Sequence, residues 1–203
     1  MSDTDVQDQT TADGGAGEVV GILVEGLSSS SRRHRQESAH RLAELSREDP
    51  ELLAPYVDEL EDALFRPEAQ TRWEALDMLT ALVPAHAGEV EGAFEGAETS
   101  LFDEDSSTVR LAAFLFLATL ASVEPEQFAR VWPLLDEAVQ CYHGDPEYRE
   151  MLEGMLMLVR SGISDDDARK VHDRVAFDAK NGVGFIKGLS EQIVKAVGER
   201  NEG

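Results

Sequence analysis

Apolar residues recur at helical spacing along nearly the whole chain. In the stretch 52–65, Val57, Leu60 and Leu64 fall at i, i+3 and i+7 and make one stripe. Asp58, Glu59, Glu61 and Asp62 occupy the remaining faces. Similar patterning predicts a short helix over 18–27, the polar turn SSSSRR, and then four helical hairpins. The hairpins pair 35–45 with 52–65, 71–83 with 89–102, 108–122 with 126–142, and 146–160 with 165–180. A last helix is expected over 189–197, after the Gly-rich loop 181–184. Predicted breaks lie at Asp49-Pro50, at Pro84 with Gly88, and at Ser161-Gly162. The helix 108–122 is apolar nearly all round and should be the most buried. Ser164 followed by Asp165, Asp166 and Asp167 forms a strong helix start, a capping hydroxyl with three carboxylates where the macrodipole favours anions. Alternating runs that would signal strands are absent.

The first helices repeat one another. RQESAHRLAEL from Arg35, RWEALDMLTAL from Arg72, RLAAFLFLATL from Arg110 and REMLEGMLMLV from Arg149 superimpose, each closing on an aliphatic residue ten positions on. The arginines lie 37, 38 and 39 residues apart. A period near 40 filled with helical pattern points to a stacked solenoid, because a lone hairpin cannot bury its apolar face and needs a neighbour to cover it. Phe65, Phe102 and Tyr142 precede three of the arginines by seven or eight positions, and Leu27 stands in the equivalent place before Arg35. The helix 18–27 therefore looks like half a repeat. Acidic residues also precede three of the arginines, as Glu68, Asp105 and Asp145.

With these companions in view the chain resembles the HEAT-repeat family over about residues 18–180. DEDSSTVRLAAFLFLATL (103–120) carries the resemblance best, and GDPEYREMLEGMLML (144–158) more loosely. The resemblance implies an all-α, right-handed α-α solenoid of about four hairpins, with an N-terminal half-repeat and a C-terminal capping helix. It also implies that Arg35, Arg72, Arg110 and Arg149 join acids of neighbouring repeats in a ladder. The expected organisation is an acidic, disordered leader over 1–17, the solenoid over 18–180, and a loop with a capping helix over 181–203.

Charge narrows the partners. Against 18 Lys+Arg stand 41 Asp+Glu, a net charge of −23, which repels phosphate backbones and anionic lipid. The asymmetry is steep: residues 1–167 carry −25 and residues 168–203 carry +2, and every lysine falls in that tail. A GC-rich genome or a salt-loving host would produce the same bias without any partner. The lone Cys141 excludes an intramolecular disulfide, the N-terminal stretch lacks a basic signal-peptide start, and the apolar run 19–27 is far too short to span a bilayer. The expected location is cytoplasmic.

Catalytic chemistry finds little footing. Glu37 and His40 make half of a di-iron helix motif with no second copy, and His40 reads as a surface residue. Cys141, His143 and Asp145 crowd three ligand types into five residues but match no zinc spacing; Cys141 is expected in the core and Asp145 in the turn. The glycine runs at 15–21 and 182–188 have the wrong spacing for dinucleotide or phosphate loops. No cofactor and no enzymatic activity are expected.

The reading that remains is a protein-binding scaffold. Solenoids commonly bind along their second helices, which here offer Glu59, Asp62, Glu95, Glu98, Asp136 and Asp173 as an acidic track for a basic peptide or protein. The competing reading is a HEAT-like DNA glycosylase that removes alkylated bases. It needs several free cations in one groove, and no lysine precedes residue 170. HEAT-like bilin lyases are a further enzymatic relative, but nothing marks a pigment site. Self-association through the C-terminal segment, with Phe185, Ile186, Leu189, Ile193 and Val197, is the remaining partner to weigh against a simple cap.

Overall fold

The computed structural model describes residues 17–200, which form ten α-helices and no strand. The leader expected over 1–17 lies outside the described residues apart from Gly17. Helix α1 covers 17–27, and the rest follow as α2 (Arg32–Glu48), α3 (Val57–Ala63), α4 (Ala69–His86), α5 (Phe94–Leu101), α6 (Ser107–Val123), α7 (Phe128–Cys141), α8 (Tyr148–Arg160), α9 (Asp165–Asn181) and α10 (Gly184–Arg200). Short 3-10 turns, Pro50–Tyr56, Val90–Ala93 and Pro125–Gln127, lead into α3, α5 and α7.

Capping residues decide where the helices begin. Ser31 Oγ accepts from His34 N at 3.4 Å, Ser106 Oγ from Val109 N at 3.3 Å, and Ser164 Oγ from Asp167 N at 3.1 Å. Each satisfies an amide that the first turn would otherwise leave open. Ser164 with Asp165, Asp166 and Asp167 is the start the sequence announces. Pro84 does not act as expected. It lies inside α4, at an exposed position in the last turn, and the helix runs on to His86.

The helices stack in two layers. Helices α2, α4, α6, α8 and α10 pack in succession, each against the next, and form the first layer. The second layer holds α3, α5, α7 and α9. Its close approaches depend on glycine: a Cβ at Gly96 would lie 2.7 Å from Leu64 Cδ1, and one at Gly26 of α1 would lie 2.1 Å from Ser38 Oγ. Helix α1 therefore sits against α2, with Gly21 also 3.4 Å from the Tyr56 hydroxyl, in the place of a second-layer helix that precedes α3. Helix α6 carries nine buried residues, among them Phe114, Phe116 and Leu117, and is sealed by neighbours on both sides. Each such fully buried side chain stabilises the stack by roughly 1.5–3 kcal/mol.

The C-terminal helix is longer than the pattern suggests. It begins at Gly184 and occupies a first-layer position against α8 and α9. Arg200 fastens its end: Nη1 donates to the carbonyls of Val159 (2.7 Å) and Ser161 (2.8 Å), and Nη2 donates to that of Ile163. One guanidinium thereby satisfies the carbonyls where α8 ends, a role no local sequence signal reveals.

Candidate binding surface

Three arginines are taken up by the architecture. Arg35 makes a two-armed pair with Glu68, Nε to Oε2 at 3.1 Å and Nη2 to Oε1, while its Nη1 donates to Ser29 O at 2.7 Å. Arg72 Nη1 reaches Asp103 Oδ2 at 2.7 Å. Arg110 Nε donates to Glu147 Oε1 at 2.7 Å and Nη1 to Asp103 O at 2.9 Å, with the Tyr142 ring 4.5 Å beneath its guanidinium. The acids differ in part from expectation. Glu68 is as read, but Asp103 serves in place of Asp105 and Glu147 in place of Asp145. Asp103 Oδ1 also accepts from the amides of Asp105 and Ser106, which fixes it at the turn.

The fourth arginine is out of register. Arg35, Arg72 and Arg110 each donate their backbone N–H to the residue that caps their helix, Ser31, Glu68 and Ser106. In α8 the residue in that place is Met151, bonded to Glu147. Arg149 stands two positions earlier, exposed, with the Phe185 ring 4.6 Å from its guanidinium and no acidic partner among the described residues. The ladder has three rungs.

The rungs also set charge states. The hydrogen bond from Arg35 holds the Glu68 carboxyl below its ordinary range. Burial pushes Asp103 upward, but the Arg72 bond and the two backbone amides outweigh it, and its pKa falls.

The second-layer residues fall into two groups. Glu59 and Asp62 on α3 and Glu95 and Glu98 on α5 are exposed, and none of the four forms an ion pair among the described residues. Beside them α1 and α3 enclose a recess of about 200 Å³, lined by Val24, Leu27, Glu25, Glu59, Asp62 and Arg66. The neighbouring Glu61 is packed against Gly92, and its pKa is raised first by burial and then by the charge of Asp58. This end of the layer is crowded with negative charge. Asp136 is different: it is half-buried and gripped by Arg174, whose Nη2 lies 2.6 Å from Oδ2 and whose Nε binds Oδ1. Asp173 is exposed and lies 2.9 Å from His172 Nδ1. Cations interrupt the track further along the layer. Arg130 lies 3.5 Å over the Phe94 ring, and Lys170 lies 5.5 Å over Phe128.

Of the residues set aside as chemical candidates, His40 is exposed, as read. His40 Nδ1 is 2.9 Å from the buried Glu74, a structural contact between α2 and α4. Cys141 is exposed, not in the core, because it closes α7 on the outward side. His143 turns to Asp178 at 3.0 Å and packs on Tyr148, whose hydroxyl pKa burial drives upward. Among the described residues no helix is long and apolar enough to cross a membrane.

No family model matches the chain, and no curated protein matches it. Solved structures do. An engineered protein aligns with 98% of this chain and 85% of its own, at 15% identity and a TM-score of 0.69. A designed armadillo repeat protein, solved in complex with the peptide (KR)4, aligns with 97% of this chain and 95% of its own, at 14% identity and a TM-score of 0.71. A second designed armadillo repeat protein gives 88% and 99% coverage at 10% identity and a TM-score of 0.58. Likeness at such low identity speaks for the backbone arrangement alone. The fold is that of a HEAT/armadillo-like helical-repeat solenoid.

Proposed function

We propose that this chain is a non-enzymatic binding module that takes a basic peptide or protein segment along α1, α3 and α5. The observation that carries this reading is the contrast within the second layer. Glu59, Asp62, Glu95 and Glu98 stand exposed without ion-pair partners, whereas Asp136 is already neutralised by Arg174. A free carboxylate offers a lysine or arginine a charge-assisted bond without first breaking one. The recess between α1 and α3 adds the apolar wall of Val24 and Leu27, against which the aliphatic stem of such a side chain can pack below its charged head. The neighbour solved with (KR)4 supports the kind of ligand, since a similar backbone there holds alternating lysine and arginine.

Titrating a fluorescent Lys-Arg repeat peptide at rising salt tests this. Binding should weaken steeply with salt, as expected where association is steered by exposed charge. Reversing Glu59, Asp62 and Glu95 to lysine together should reduce affinity by more than about tenfold, a loss of more than roughly 1.4 kcal/mol. Asp136→Asn should change it little. Affinity that survives the triple reversal, or that ignores salt, would overturn the proposal.

A further inference from the structure

Arginines that are not exposed in this fold have an acceptor for their charge, with one exception. Arg35, Arg72, Arg110 and Arg174 hold carboxylates, and Arg200 holds backbone carbonyls. Arg66, in the turn after α3, is half-buried, and its guanidinium donates to no described residue. Its Nε is covered by the protein and without a partner. Arg66 lines the recess between α1 and α3 together with Glu25, Glu59 and Asp62, and none of these acids forms an ion pair with it. Covering Nε takes water from one edge of the ion. A guanidinium that has lost part of its hydration gains more from a carboxylate than an exposed one does.

The same charge limits what the recess accepts. A lysine or arginine side chain seated on Val24 and Leu27, with its head toward Glu59 and Asp62, brings a second cation beside Arg66. Like charges so placed repel unless a negative group arrives with the ligand. We infer that the recess recognises a basic side chain together with an adjacent carboxylate, as a polypeptide presents when it ends in lysine or arginine. This inference rests on the basic-segment reading above and deepens it. The α-carboxylate accepts from the Nη groups of Arg66 as a fork, while the side chain of the same residue reaches the acids. A terminal residue carries both charges on one backbone unit, so no neighbouring side chain has to be ordered to supply the second. An aspartate following an internal lysine offers the same pair of charges at that extra cost. The recess thus fixes the end of the bound segment, and Glu95 and Glu98 on α5 take basic residues further back along it.

Three fluorescent peptides sharing one Lys-Arg repeat test the inference on the full chain at fixed low salt. The first ends in a free carboxylate and the second in a carboxamide; in the third an aspartate follows the last lysine before a carboxamide. The free acid should bind the wild type about fivefold tighter than the amide, about 1 kcal/mol. The aspartate peptide should fall nearer the amide. Long-range attraction to a chain of net charge −23 favours the amide, which carries one more net positive charge, so a preference for the acid has no general electrostatic origin. Arg66→Gln should weaken the free acid and tighten the amide, which removes the preference. Equal affinity of acid and amide for the wild type overturns the inference and leaves the basic-segment reading standing, as does a preference that survives Arg66→Gln. An aspartate peptide that matches the free acid overturns the terminal carboxylate in favour of a side-chain one. Absence of binding by all three overturns both readings. The acid–amide comparison needs only the wild-type chain, and Arg66→Lys, with partial loss of preference expected, replaces Arg66→Gln if circular dichroism shows the latter unfolded.

Discussion

The first three rungs of the arginine ladder and the place where a fourth would stand use the same residue type to different ends. Arg35, Arg72 and Arg110 lie one helical turn past their caps and are 12%, 17% and 12% exposed. Each reaches an acid that itself begins or precedes the next first-layer helix. Arg149 lies half a turn earlier and in solvent, and meets an aromatic ring instead of a carboxylate. An arginine becomes structural only when the helix start sets its register and the next repeat supplies an acid. At the α8–α10 junction Arg200 holds the stack from the other end, through backbone carbonyls.

Removing an inner rung should give the largest effect. Glu147 is 3% exposed, and without Arg110 its charge has no compensation at that depth. Arg110→Ala should cost about 3 kcal/mol or more, roughly 6–12 °C in Tm, because an unpaired buried ion is far more costly than an absent pair. The fourth position has no such penalty, so Arg149→Ala should shift Tm by a small fraction of that. Equal losses in thermal melts of the two variants would end the distinction.

Acid should separate the same regions by a smaller margin. The Glu68 and Asp103 carboxyls titrate below their unfolded values of 4.5 and 3.8. A depressed carboxylate contributes stability that is present above its unfolded pKa and is lost as pH falls through its folded pKa. Urea midpoints should therefore decline as pH drops from about 5 to 3, and Arg72→Gln should flatten the decline by raising Asp103 back toward its ordinary range. Arg149→Gln should leave the slope unchanged. A parallel decline in wild type and Arg72→Gln would show that the rung contributes nothing to the acid limb.

Much of the architecture was legible because periodicity is a local property repeated many times. The stripe of Val57, Leu60 and Leu64 and the apolar run of α6 both mark buried faces as read. What escaped depended on partners far along the chain. Asp136 reads as a free carboxylate on a second helix until Arg174, thirty-eight residues later, is seen to hold it. Asp105 and Asp145 stand four or five positions before an arginine, as Glu68 does, but Asp103 and Glu147 have the geometry, because the helix cap and not the residue count fixes which side chain turns inward. Arg149 aligns by count for the same reason and fails by register. Cys141, among the residue types most often buried, lies outward because α7 ends there.

The comparison can also be run in reverse, by building the missing rung. Glu68 and Glu147 are the capping residues of α4 and α8, and the residue before α10 is Val183, 79% exposed and apolar. Val183→Asp should stabilise the protein for two separable reasons. A carboxylate before a helix caps its first turn wherever it stands, a gain of about 0.5–1 kcal/mol in exposed sites. Near Arg149 it should add an ion pair of about 0.2–1 kcal/mol, as solvent-exposed pairs do, while Arg149 retains its contact with Phe185. A double-mutant cycle with Arg149→Ala isolates the second effect. Val183→Asp should raise the urea midpoint more when Arg149 is present than when it is absent, by a margin that shrinks in high salt. Equal gains in both backgrounds would mean that the α8 register keeps Arg149 out of reach of the α10 start, and the ladder could not be extended without first moving the arginine to position 151.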